Sequence, residues 1–256
     1  MRGEKKKMKI LEFGNTTQRK LILIHGFQQP WQVCSAYIEH FKNDYHIIVP
    51  VLSGHDPDKR EDFVSFDEDA KAIENDLIPR FGTEIHAVYG ISMGGVLAAT
   101  LWQNKNLRFE KVIFDGSPLV SMNGLTKAFM LKFYLNITHK AQKRDQKTVE
   151  QAVKTIITQE NLNDLLKVMD NMSDKTVENC INSIADFKLR TDIKTPDTTV
   201  VFFYGTAANE SLAKKSAKFL KKNYPCTILR CFNGKAHCEN TIFRPKVMIA
   251  ELDKYL

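Results

Sequence analysis

The residues of this chain best placed to do chemistry lie in Gly90-Ile91-Ser92-Met93-Gly94. A serine hydroxyl is a weak nucleophile until a neighbouring base takes its proton and fixed donors receive the charge formed on the attacked carbonyl. Here the serine follows Glu84-Ile85-His86-Ala87-Val88-Tyr89, an apolar run that reads as a buried strand. It precedes Val96 to Trp102, which is rich in helix formers. On such a tight strand-to-helix turn the serine backbone is strained, and the residues two before and two after must be small; both are glycine, Gly90 and Gly94. The turn lifts the hydroxyl out of the sheet, and the helix N-terminus favours developing negative charge. A glycine-rich helix start capped by serine would account for Ser92 alone, but not for the partners found elsewhere.

Of seven histidines, His237 sits where a base belongs. It lies in Asn233-Gly234-Lys235-Ala236-His237-Cys238-Glu239, a short loop directly after the final strand-like run. That loop shares a layer with Ser92. His25 also ends a strand, but His25-Gly26-Phe27 reads as a segment that shapes a backbone loop. His55 reads as structural or pocket-lining, and His40, His46, His86 and His139 have no placement that suggests chemistry. An oxyanion site uses backbone N–H groups; by position these are Met93, just after the serine, and Phe27, just after His25-Gly26.

The elements that must position these groups alternate. Leu21 to Ile24 is a continuous apolar run, as expected of a parallel strand buried on both faces. Tyr45 to Val51, Glu84 to Tyr89, Lys111 to Asp115, Thr199 to Tyr204 and Cys226 to Phe232 are further strands. Helical spacing appears over Phe66 to Arg80, Met93 to about Gln103, Ser211 to Asn223 and Thr241 to Tyr255. Alternation of this kind predicts an α/β fold with a mainly parallel sheet and right-handed crossovers. Ligand chemistry then belongs at the carboxyl ends of the strands. Residues 121–195 break the pattern: no strand appears there, only helical periodicities such as Val153, Ile156, Ile157, then Leu162, Leu165, Leu166, Met169, then Val177, Cys180, Ile181, Ile184.

In their order His25-Gly26-Phe27, Leu52-Ser53-Gly54-His55-Asp56, Gly90-Ile91-Ser92-Met93-Gly94 and Gly234-Lys235-Ala236-His237, these landmarks resemble the α/β-hydrolase superfamily. The likeness runs from about residue 20 to the end, toward its esterase, lysophospholipase and thioesterase-like members. It implies an eight-stranded, mostly parallel sheet, a Ser–His–acid triad and a helical cap. Residues 1–120 and 196–256 would form the hydrolase core and 121–195 the cap, with Phe129, Phe133 and Tyr134 offering apolar contacts to substrate. The acid is where the chain departs from the family. The loop that usually carries it reads Gly205-Thr206-Ala207-Ala208-Asn209-Glu210-Ser211, with alanine at the usual place. Glu210 is the nearest carboxylate, Asp115 at a strand end is the alternative, and an absent acid stays open.

Composition narrows the partners. The chain has 256 residues, 43% hydrophobic, and a net charge of +7. Arg2, Lys5, Lys6, Lys7 and Lys9 against Glu4 place +4 in the first ten residues, which leaves +3 for the rest. The surplus is a tail rather than a groove, and no nucleic-acid-binding motif accompanies it. No apolar run approaches the roughly 18 residues of a membrane span, and the N-terminus lacks a signal-peptide core. Five cysteines without framework spacing predict reduced thiols in a cytoplasmic protein. Cys226, Cys231 and Cys238 beside His237 lack the tight pairs of a zinc site. The expected activity is cofactor-free and metal-free hydrolysis of a small, largely apolar carboxylic ester or thioester through an acyl-enzyme. Acyl transfer, aminopeptidase-like cleavage and non-catalytic ligand binding are the alternatives, and a homodimer is compatible with the sequence.

Overall fold

The computed structural model describes residues 8–194 and 197–256. The basic tail Met1–Lys7, and Thr195 and Pro196 at the expected cap boundary, lie outside the described residues. Seven strands form one sheet: β1 (Ile10–Phe13), β2 (Lys20–Ile24), β3 (His46–Pro50), β4 (Glu84–Ile91), β5 (Arg108–Asp115), β6 (Thr199–Gly205) and β7 (Ile228–Phe232), in the order β1-β3-β2-β4-β5-β6-β7. All neighbours pair in parallel except β1 with β3, where Ile10 opposes Pro50. The described residues thus hold one strand fewer than the eight that the family likeness implied. The fold class stands.

Alternating strand residues feed two apolar layers. Ile22, Ile24, Val88, Val112, Phe114 and Phe202 face α2 (Phe66–Phe81), α3 (Met93–Asn104) and α8 (Ser211–Asn223). Leu21, Leu23, Ala87, Tyr89, Ile113 and Phe203 face α1 (Ser35–Phe41), α9 (Glu239–Phe243) and α10 (Pro245–Leu252). Period-two alternation with both faces covered explains why these strands read as unbroken apolar runs. The register also builds the site: Ile91 pairs with Asp115, Asp115 with Phe203, and Gly205 with Phe232. The carboxyl ends of β4, β5, β6 and β7 therefore open side by side.

Helices α2 and α8 coincide closely with the expected spans. Ser65 caps α2 by accepting from Glu68 N–H, and Asp67, Glu68 and Asp69 crowd its first turn, where the dipole favours acids. The single helix expected over Thr241 to Tyr255 is two, because Pro245 lacks the N–H that would continue α9. Between β5 and β6 run α4 (Gly124–Gln142), α5 (Gln146–Thr155), α6 (Leu162–Asn171) and α7 (Asp174–Asp186). They hold small apolar clusters of their own, one around Ala141, Ile157, Leu165 and Met169, another around Val168, Met172, Val177 and Ile181.

Candidate active site

Gly90 and Gly94 permit the turn that carries Ser92 because other backbone occupies the space of a side chain. A Cβ at Gly94 would lie 2.4 Å from the carbonyl oxygen of Ile24, and one at Gly90 would lie 2.5 Å from that of Gly94. Between them Ser92 holds φ 51° and ψ −113°, a conformation costing roughly 1–3 kcal/mol that the surrounding packing must impose. Ser92 N–H donates to Asp115 O at 2.7 Å, and Gly95 N–H donates to Ser92 O at 3.0 Å. The serine is thereby pinned from the neighbouring strand and from its own helix.

The hydroxyl meets an imidazole. His237 Nε2 lies 2.8 Å from Ser92 Oγ, and its Nδ1 lies 2.6 Å from Glu210 Oε1. Since a carboxylate can only accept, Nδ1 carries the proton and Nε2 is left free to receive one from the serine. Glu210 is fully buried, and its other oxygen accepts from Gly205 N–H at 3.1 Å. Burial disfavours a charged His237, but the Glu210 hydrogen bond and charge, helped by Asp115, outweigh it, so the imidazole pKa is raised. A third of its side-chain surface (34%) stays exposed.

Two loops hold this pair. Ala207 N–H donates to Lys235 O, Gly234 N–H to Thr206 Oγ1, and His237 N–H to Asn209 Oδ1. Lys214 Nζ closes on Thr206 O and Ala207 O. The β6 and β7 loops are thus sewn together, and the longer reach from an alanine-bearing loop is met by a short 3₁₀ turn, Ala208–Glu210. Asn209 and Thr206 were not read as site residues, although they stand in the loop flagged for the acid.

Asp115 does not occupy the place beside the histidine nitrogen. Its carboxylate accepts from Tyr89 Oη at 3.2 Å and from Thr241 Oγ1. Burial pushes its pKa up to about 6 against those hydrogen bonds. Tyr37 Oη extends the network to Thr241 O at 2.8 Å. Of the two carboxylates weighed from sequence, Glu210 is the one brought to His237.

Phe27 follows two buried histidines that build its loop. His25 Nε2 accepts from Leu52 N–H and His55 Nε2 from Gln28 N–H, so each carries its proton on Nδ1, aimed at Gly26 O and Ser53 O respectively. Desolvation holds both neutral, with pKa values lowered to about 3 for His25 and about 4 for His55. Gln29 Oε1 accepts from Gly26 N–H, and its amide nitrogen donates to Ile156 O at the end of α5. Gln28 Nε2 donates to Thr138 Oγ1 of α4 at 2.8 Å. The backbone N–H groups of Phe27 and Met93 take part in no hydrogen bond among the described residues.

Of the three residues expected to touch substrate, the structure turns only Tyr134 inward, with its ring 5.1 Å from that of Phe27. Phe129 and Phe133 are 70% and 46% exposed and stack on each other. Residues four apart share a helix face, whereas Tyr134 is rotated a further 100° from Phe133. The remaining histidines pair with carboxylates away from the site: His40 with Asp253, His46 with Glu12, His86 with Glu110 and His139 with Asp174. Cys226 and Cys231 are exposed free thiols, while buried Cys238 directs its sulfur to Asp115 O. No group of three or more His, Cys, Asp or Glu among the described residues is arranged to hold a metal ion.

The sequence matches no protein-family model and no curated protein. Solved structures do match over nearly the whole chain. A Desulfitobacterium hafniense protein assigned to the α/β-hydrolase family superposes with TM-score 0.76 at 19% identity, covering 96% of this chain and 99% of that one. A carboxylesterase from the thaumarchaeon Nitrososphaera gargenis gives 0.74 at 13% identity over 97% of this chain and 93% of that one. A bromoperoxidase from Bacillus anthracis gives 0.73 at 16% over 96% and 94%. At such identities the likeness concerns the backbone, and one backbone hosts many chemistries. By its strand order, its two helical layers and these superpositions, the chain is a protein of the α/β-hydrolase fold.

Proposed function

We propose that the protein is a serine hydrolase that cleaves a carboxylic ester or thioester of a small, largely apolar substrate through an acyl-enzyme. The observation that carries this reading is the unbroken hydrogen-bonded run Glu210–His237–Ser92. Ser92 attacks the carbonyl while His237 takes its proton; Glu210 holds the ring and stabilises the imidazolium. The N–H groups of Phe27 and Met93 receive the oxyanion. The imidazolium then protonates the leaving alcohol or thiol, and a water activated by the same histidine releases the acid. Helices α4–α7 act as a cap, and Tyr134 against Phe27 forms an apolar wall beside the carbonyl. The carboxylate against His237 favours turnover over passive ligand binding.

Hydrolysis of nitrophenyl esters of graded chain length tests this. Wild-type protein should turn over short esters with a burst of nitrophenol, and Ser92→Ala should lose both burst and turnover. Undiminished hydrolysis by Ser92→Ala would sink the proposal.

A further inference from the structure

Helix α4 presents a face that none of the described residues covers. Leu125, Phe129 and Phe133 recur every four residues and are 86%, 70% and 46% exposed. At 100° per residue they occupy one sector of the helix, and Lys140 and Lys143 continue that sector toward its C-terminus, with Lys132 at its edge. The segment from Ser121 to Arg144 contains no acidic residue. Three carboxylates that approach α4 from its neighbours are spent in pairs, Asp186 with Lys127, Asp174 with His139 and Asp170 with Arg144. A fourth, Asp145, caps α5 by accepting from Thr148 while lying within electrostatic reach of Lys140. Lys132, Lys140 and Lys143 are exposed, and no ion pair engages them among the described residues.

We infer that the outer face of α4 docks on an anionic lipid surface, with Leu125, Phe129 and Phe133 entering the headgroup–acyl boundary and Lys132, Lys140 and Lys143 meeting the lipid charges. Exposed aromatics cost solubility and are kept where a partner covers them. An apolar sector continued by basic residues without acids is the pattern of a helix lying in a membrane interface. Charge selects this occupant over a second copy of the chain. Two α4 helices crossing antiparallel about a two-fold axis at Phe129 and Phe133 would bring their two Lys132 side chains together at the centre of the contact. The inner face of the same helix carries Tyr134 and Thr138, which touch Phe27 and Gln28, so docking would take place on the side of α4 opposite that loop. The inference stands apart from the hydrolytic reading, because binding needs no turnover.

Sedimentation of the full-length protein with vesicles of diether phosphatidylcholine, with and without diether phosphatidylglycerol, tests it; such lipids offer no ester bond to cleave. Binding to the phosphatidylglycerol vesicles is expected, weakening as salt rises. Phe129→Ser/Phe133→Ser should lower the partition coefficient at least about tenfold. Lys132→Ser/Lys140→Ser/Lys143→Ser should lower it by a similar factor, with circular dichroism unchanged for both. Phe129→Trp, measured with brominated lipid, should show quenching and a blue shift. Absence of binding overturns the inference. So does binding that survives the stripe substitutions, which would assign it to the basic N-terminal tail. Conversion of a dimer to a monomer by Phe129→Ser/Phe133→Ser would also overturn it, in favour of a second copy on this face.

Discussion

The strand-end loops and the inserted helices hold their residues in different ways. Around Ser92 the backbone itself is the instrument: Gly94 lies under the carbonyls of Ile24 and His25, and Ser92 is held at positive φ. Glu210 is locked between Gly205 N–H and His237. In α4, only Thr138 and Ala141 are buried, and the helix is tied to the core by a few side-chain contacts such as Gln28 to Thr138 and Tyr134 on Phe27. The first arrangement tolerates almost no change in shape, whereas the second can be altered residue by residue. On the proposed reading, chemistry falls to the rigid part and substrate choice to the adjustable one.

The largest expected effect lies in the rigid part. His237→Ala should reduce kcat/KM by roughly 10⁴–10⁶-fold with little loss of stability, and Glu210→Gln by roughly 10³–10⁴-fold. Steady-state kinetics on a nitrophenyl ester checks both; a Glu210→Gln enzyme within tenfold of wild type would mean the carboxylate does not orient the base. Gly94→Ala should instead strike the fold, destabilising by about 3 kcal/mol, since its Cβ meets immovable carbonyls. Chemical denaturation reads that loss.

The pH behaviour separates the two kinds of histidine. His237 must be neutral to accept a proton, and its raised pKa places the acidic limb of kcat/KM above 6.5. Glu210→Gln removes the charge that raises it and should move that limb to lower pH. His25 and His55 behave oppositely. Their folded-state values, about 3 and about 4, lie below the ordinary 6.5, so the unfolded chain binds more protons between those limits. Stability is full above pH 6.5 and falls on acidification toward pH 4, by up to about 1.4 kcal/mol per pH unit for each histidine. Denaturant midpoints measured from pH 7 to 5 should fall more steeply in wild type than in His55→Gln, judged from each protein's own value at pH 7.

The smallest effects belong to the inserted helices. Tyr134→Ala should raise KM for an apolar ester several-fold with kcat changed less, about what one partly buried aromatic contact contributes. Phe129→Ser should leave turnover of a short water-soluble ester within about twofold, since its ring faces away from Phe27. A large loss there would place the outer face of α4 in the substrate path.

What was legible in the sequence follows the same divide. Ser92 and Gly90/Gly94 were readable because a strand, a sharp turn and a helix demand particular residue types locally, and His237 because it stands in the short loop directly after the last strand. The apolar runs of β2, β4 and β6 were readable because both sheet faces are covered. Strand β1 was missed: its residues Ile10–Phe13 are all half-buried, and an edge strand shows no unbroken apolar run. Helix α4 was missed as an element because apolar residues lie all round it, some against α6 and α7 and some outward, which blurs the 3.6-residue period. For that reason Phe129, Phe133 and Tyr134 looked equivalent in sequence, although tertiary docking turns only one of them inward. The choice between Glu210 and Asp115 was not local either. It depends on the hydrogen bonds between the β6 and β7 loops and on Tyr89 and Thr241, which claim Asp115.

The most direct test of the central claim is peptide mapping by mass spectrometry after exposure to a fluorophosphonate. A single phosphonylated peptide carrying Ser92 is expected, labelled far more slowly in His237→Ala and Glu210→Gln, and absent in Ser92→Ala. Labelling at another residue, or an unlabelled Ser92 in folded protein, would contradict it.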